Sequence, residues 1–214
     1  MEVIINLNPF AYAEIAAGYE TWYQTTGRRS AKQEKALLRR LLTNFPAART
    51  ILEVGCGTGY FTRWFGEIGM RALGLDLSWT MLEQARRHGK LALLQGDALI
   101  LPFPSGSIDL VALITTLEFL TDPLNALAEA LRVARQGLIL GCLNANSSLA
   151  VHYKRMGGPI WETARFLTPA ELKHMIRQVA GVNVRSVWRT TLWSFWSGAL
   201  PLPWGGFIGM SVKI

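Results

Sequence analysis

Cysteine is scarce: Cys56 and Cys142 are the two in 214 residues. That is too few for a disulfide-stapled secreted domain, and no cysteine–histidine cluster has metal-ligand spacing. Two reduced, partly buried thiols in a cytoplasmic protein without a metal are expected. Charge is sparse too, with Asp, Glu, Lys and Arg at 17% against 50% hydrophobic residues. Together with the lack of any low-complexity tract, this excludes a disordered chain as the default. The acidic side is the poorer one, 15 residues against 22 basic, for a net charge of +7. A basic balance suits an acidic substrate, a nucleic acid or an anionic membrane. The cations lie in scattered pairs (Arg28-Arg29, Arg39-Arg40, Arg86-Arg87, Lys154-Arg155), so nucleic acid is not the favoured partner. Residues 1–10 lack a basic start and a small-residue cleavage site, and do not read as a signal peptide. Unbroken apolar spans are missing as well. Residues 190–212 are uncharged and long enough to cross a bilayer, but Pro201, Pro203, Gly205 and Gly206 interrupt them. No transmembrane segment is expected there. Two buried strands around an aromatic loop with Trp193, Phe195, Trp196 and Trp204 fit better, a loop that could meet an apolar substrate or a membrane surface.

What is present is organised around residues 51–61. A short apolar run ends on Glu53-Val54, Gly55, Gly57 and Gly59 follow at every second position, and aromatics resume at once. That order predicts strand, tight loop, helix, with the first N–H groups of the helix facing a crevice. Ahead of it, residues 12–23 are dense in aromatics. Ser30-Ala-Lys-Gln33 has the form of a capping box, opening a helix with Leu37, Leu38, Leu41 and Leu42 on its buried side and closing at Pro46. Behind it, helix 60–67, strand 71–75, a Ser78-capped helix with Met81, Leu82 and Ala85 inward, and strand 91–94 alternate. Strand 108–114, a helix starting at Asp122-Pro123 and strand 138–143 continue the pattern. Residues 144–163 read as a loop or insertion, Thr168-Pro-Ala-Glu171 as a second capping box, and 207–213 as the last strand. Continuous apolar strands alternating with amphipathic helices mean a parallel, doubly wound α/β sheet.

The stretch Glu53-Val-Gly-Cys-Gly-Thr-Gly59, with Asp76 closing the second apolar run, resembles the first motifs of class I S-adenosylmethionine-dependent methyltransferases. It departs from the dinucleotide fingerprint, because Tyr60 stands where the third glycine would fall. Gly96-Asp97-Ala98, Leu101-Pro-Phe and Ile108-Asp-Leu-Val extend the likeness toward small methyltransferases of the quinone-methylase-like group. The resemblance implies a Rossmann-like, doubly wound seven-stranded sheet, mostly parallel with an antiparallel last strand. It also implies one methyltransferase domain over 1–214: a helical lid segment (1–46), a cofactor-binding core (47–144), and acceptor-side and C-terminal strands (145–214). The Leu-x-Pro-Gly-Gly turn usual before the fifth strand is reduced here to Ala134-Arg-Gln-Gly137.

By the same resemblance the cofactor is S-adenosylmethionine. Glu53 fixes the glycine loop near the methionine amino group, and Gly55, Cys56, Gly57 and Gly59 form the floor. Asp76 accepts the ribose hydroxyls, Leu77 packs beside the adenine, and Asp97 with Ala98, after Gly96, reads the adenine edge. Met81, Thr115 and Leu117 complete the cofactor set, the last two at the carboxyl end of the fourth strand. Tyr19 and Tyr23, with Trp22, would cover the sulfonium end. Asp109 begins a strand and caps the turn before it. No general base declares itself; His152 and Tyr153 are the candidates for an acceptor pocket. Asn-Pro-Pro-Tyr/Phe, which amino methylation of nucleic-acid bases commonly uses, is missing after the fourth strand. A small-molecule acceptor is expected. The alternatives are a non-catalytic S-adenosylmethionine-binding module or partner subunit, and a NAD-dependent oxidoreductase.

Overall fold

A computed structural model describes residues 9–191, 199–200 and 202–214. Five parallel strands form the core sheet: β1 (Thr50–Val54), β2 (Arg71–Asp76), β3 (Ala92–Gln95), β4 (Ile108–Ile114) and β5 (Ala134–Leu143). β6 (Arg185–Thr191), the two-residue β7 (Ala199–Leu200) and β8 (Phe207–Lys213) complete it, in the order β3-β2-β1-β4-β5-β8-β6-β7. β8 inserts antiparallel between β5 and β6, as the family resemblance implies for the last strand. β7 is a short edge addition to the seven-stranded pattern.

Alternation along each strand splits the core in two. Leu52, Val54, Val111, Leu113, Leu138 and Leu140 face helices α5 (Pro123–Val133) and α8 (Pro169–Ala180). Ile51, Leu110, Ala112 and Ile139 face the opposite layer, α2 (Arg28–Leu42) and α3 (Tyr60–Glu67). Each fully buried Leu or Ile contributes on the order of 1.5–3 kcal/mol. Glu53 shares the parity of Ile51, so an acid stands on the face that buries Phe61 and Phe65. The remaining helices are α1 (Ala13–Gln24), α4 (Trp79–Arg87), α6 (Ser148–Met156) and α7 (Pro159–Thr163).

Four expectations are corrected. α2 begins at Arg28, with Gly27 at the N-cap and no side-chain cap, so Ser30 lies inside the helix. Gly27 is held by Trp22, whose ring would lie 2.3 Å from a Cβ placed there. β5 starts at Ala134, directly after α5 and with no intervening turn, because Arg135 and Gln136 are drawn to Asp109. Residues 144–163 are not a loop: Ser147 caps α6 through Ala150 N–H, and α7 follows. Asp109 does more than cap a turn. Its carboxylate accepts from the Arg49 and Thr50 N–H groups, both at 2.9 Å, and from Arg135 and Gln136, joining β1, β4 and β5 at one end. The second capping box, at Thr168 and Glu171, is present on both sides. Trp193, Phe195 and Trp196 lie outside the described residues; Trp204 is exposed. Among the described residues no helix is long and apolar enough to cross a membrane.

Candidate active site

At the carboxyl edge of β1, β2 and β4 lies a cavity of about 390 Å³. The loop after β1 forms its floor. Gly55 has φ +71°, and a Cβ on it would come within 2.4 Å of the Thr116 methyl, so glycine is required twice over. Gly57 has φ +53° and nothing within 4 Å of its would-be Cβ, which leaves open space above the backbone for a ligand. Asp76, ending β2, holds this loop: Oδ2 accepts the Gly57 N–H at 2.7 Å and Oδ1 the Ser78 N–H at 2.8 Å. Burial raises its carboxyl above the ordinary range despite those two bonds. Each oxygen keeps a second lone pair for a hydroxyl.

Glu53 is 2% exposed and lines the cavity. Its Oε2 accepts from the Thr62 hydroxyl on α3. It therefore does not fix the glycine loop directly, as the sequence suggested; Asp76 does. Burial pushes the Glu53 carboxyl up to about 8, with the Thr62 hydrogen bond opposing and the Asp76 charge adding. A cation placed beside it would restore the ionised form. Opposite, Asp97 accepts the Leu99 N–H at 2.9 Å through Oδ1. Ala98 beside it is buried.

Helix α1 roofs the cavity. Tyr23 stacks on Tyr60 with ring centroids 4.0 Å apart and 8° between planes, and Tyr19 meets Tyr23 edge-on at 5.4 Å. Phe10 meets Tyr19 at 6.2 Å and Phe119 at 4.8 Å, closing the far side. Glu20 pins this roof to the floor: it accepts the Thr58 hydroxyl at 2.7 Å and pairs with Arg63 at 2.5 Å.

Of the residues expected at the cofactor, Tyr19, Tyr23, Glu53, Gly55, Cys56, Gly57, Asp76, Leu77, Gly96, Asp97, Ala98 and Thr115 line this cavity. Gly59, Met81 and Leu117 do not. Gly59 turns the chain into α3 at φ +74°, Met81 is on the buried face of α4, and Leu117 is buried in the 3-10 turn that follows β4. His152 is exposed on α6, whereas Tyr153 stacks on Trp161 at 3.9 Å. Sequence reasoning missed Glu20, Glu34 and Glu118, each no more than 6% exposed. The signal was available for two of them: Glu34 shares the helical face of Leu37, Leu38 and Leu41, and Glu20 that of Ala16 and Tyr23.

A glycine floor, a buried acid at the end of β1 and a second acid at the end of β2 thus meet at one cavity. Residues 52–141 match the family model of the methyltransferase domain. The match and the fold are consistent with a class I S-adenosylmethionine-dependent methyltransferase. An uncharacterized protein of Mycobacterium tuberculosis is 38% identical over 168 residues, 75% of this chain and 56% of that protein. The chain thus spans little more than half the length of that relative. A malonyl-[acyl-carrier protein] O-methyltransferase of Serratia marcescens is 38% identical over 91 residues, 42% of this chain and 36% of the enzyme. Among solved structures, a SAM-dependent methyltransferase of Thermotoga maritima, named as a possible histamine N-methyltransferase, superposes with a TM-score of 0.79. It is 26% identical, over 95% of this chain and 98% of the other.

Proposed function

We propose that the protein binds S-adenosylmethionine in the 390 Å³ cavity and transfers its methyl group to a small-molecule acceptor. The observation that carries this reading is the pairing of open space over Gly57 with three acids at separate points around it: Glu53, Asp76 and Asp97. The volume lies within the range of ligand pockets, about 300–1,000 Å³. In this reading Asp76 takes the ribose hydroxyls, and Asp97 with the Ala98 backbone meets the adenine. Glu53 takes the methionine ammonium, which supplies the cation its buried carboxyl lacks. The cofactor supplies an activated methyl on a sulfonium. What the chain supplies is alignment and dryness: the α1 roof of Tyr19 and Tyr23 excludes water, and the loop fixes one end of the donor. No side chain is required as a base unless the acceptor must first lose a proton.

Among named similar proteins the acceptors differ, malonyl-[acyl-carrier protein] in one and histamine in another, which is named a possible histamine N-methyltransferase. Both chemistries belong in a screen. Incubating the protein with methyl-labelled S-adenosylmethionine and panels of small acids, amines and phenols tests the reading. Label in a low-molecular-weight product is expected. Failure to bind S-adenosylhomocysteine, with tight binding of NAD, would overturn it.

A further inference from the structure

A second cavity, of about 280 Å³, lies where α2 and α6 meet the Phe207 end of β8. Gln33, Glu34, Ser148, Leu149, Trp204 and Phe207 contribute to its lining. Glu34 is 6% exposed, and Glu118 is its strongest charged neighbour. Glu118 is 2% exposed; its Oε1 accepts the Leu143 N–H at 2.6 Å, and its Oε2 has no hydrogen-bond partner among the described residues. Burial and then the Glu118 charge push Glu34 up to about 7, while burial, against backbone N–H bonds, pushes Glu118 up to about 7.

The pair is poorly compensated. Lys35 acts on Glu34 from the same helix, but its ammonium sits over the Tyr60 ring, 3.9 Å from the centroid. Among the described residues, the tyrosines and the thiol that feel the charge of the pair are neutral at ordinary pH: Tyr19 and Tyr23 from α1, Tyr60 from α3, Tyr153 from α6 and Cys142 from β5. Two buried carboxyls among tyrosines, one with a free oxygen, cost the fold stability, which the Leu143 N–H bond offsets only in part. An ammonium is the group that answers both features, since carboxylates and aromatic faces attract it together. Phe207 lines this cavity and Ile114 the cofactor-side one, and both come within 3.1 Å of the Cβ position over Gly141, so the two spaces lie about a side chain apart.

We propose that this second cavity is the acceptor's subsite and that the acceptor carries a basic amine, its ammonium held by Glu34 with Glu118 supplying the second negative charge behind it. The inference rests on the methyltransferase reading and narrows it to an acceptor class. The amine is a recognition handle here, whichever atom receives the methyl group.

Calorimetry on the full chain tests it in two stages. S-Adenosylhomocysteine is titrated first; no binding there defeats the methyltransferase reading itself. The saturated complex is then titrated with butylamine, benzylamine and phenethylamine and with the alcohols of the same skeletons. At least one amine is expected to bind about tenfold or more tighter than its alcohol, the factor a charge-assisted hydrogen bond provides. Its affinity should rise severalfold between about pH 6 and about pH 8 as the carboxyls ionise, with proton release near neutrality. Glu34→Gln should remove the preference and the proton release while leaving S-adenosylhomocysteine affinity unchanged, which also certifies the variant as folded. S-Adenosylhomocysteine binding with no amine preferred over its alcohol, or a preference that survives Glu34→Gln, would overturn the proposal.

Discussion

At the residue scale, the site is a set of acids held at different levels of readiness. Asp76 is tied by two backbone N–H groups and orders the glycine loop, so its replacement removes both a ligand partner and a loop tether. Asp76→Ala is expected to weaken S-adenosylhomocysteine binding by about 2–4 kcal/mol, on the order of 30- to 700-fold, because hydrogen bonds to charged groups contribute roughly 1.5–3 kcal/mol each and do not add fully. Calorimetry on the folded variant reads this directly, and an unchanged affinity would take Asp76 out of the site. Glu53 behaves differently. Its folded carboxyl titrates at about 8 against an ordinary 4.5, so the folded state holds a proton that the unfolded chain has released. Stability from this group is therefore full below about 4.5 and falls as pH rises to about 8. Glu53→Gln keeps a group able to accept the Thr62 hydroxyl without the ionisation. The melting temperature of Glu53→Gln minus that of the native protein should grow from about pH 5 to about pH 8. A flat difference would show that Glu53 does not titrate in that window.

At the scale of elements, α1 is the part whose role differs most from ordinary packing. Its ring stack on Tyr60 and its Glu20 bonds to Thr58 and Arg63 make a roof resting directly on the cofactor loop. Such a roof protects a sulfonium from water if it opens for entry and closes after it. Amide exchange over residues 11–29 should slow when S-adenosylhomocysteine binds, and Glu20→Ala should speed it in both states. Equal strong protection with and without ligand would make α1 a fixed wall.

Element type and order were legible where the apolar period ran unbroken. Helix 60–67, strand 108–114 and strand 207–213 fall where the sequence put them. Two of the misplacements share a physical cause, a partner outside the segment overriding a local signal. Ser30 has the residue type and spacing of a cap, but Trp22 packed against Gly27 starts the helix three residues earlier. Arg135 and Gln136 look like turn residues until Asp109 draws them into β5. The cofactor-side cavity was legible because its acids end strands, a position with few structural uses. Glu118 was not: it sits between Leu117 and Phe119 in a single 3-10 turn, and only the meeting of that turn with Leu143 reveals it.

At the scale of the whole molecule, the sheet divides labour between its two ends. The carboxyl ends of β1, β2 and β4 carry the cavity, while Asp109 closes the opposite end by gathering N–H groups of residues 49 and 50 with Arg135 and Gln136. Burial works to raise the Asp109 carboxyl, but the Arg49 N–H and the Arg135 guanidinium outweigh it and hold it well below the ordinary range. The stability it gives is present above the ordinary carboxylate range and lost on strong acidification. Asp109→Ala should lower stability by about 2–4 kcal/mol, a fall of roughly 5–15 °C in melting temperature, by stranding the donors around it. Cofactor affinity of the folded protein should not change. A loss of affinity without a loss of stability would contradict this separation of the two ends.

The most direct test of the account is a crystal structure of the protein with S-adenosylhomocysteine. The ligand is expected in the cavity beneath α1, with the adenine edge at Asp97 and Ala98, the ribose hydroxyls on Asp76, the homocysteine ammonium beside Glu53, and its sulfur directed toward the Tyr19–Tyr23 roof. A ligand lying elsewhere on the sheet, or one in this cavity with its ribose away from Asp76, would contradict it.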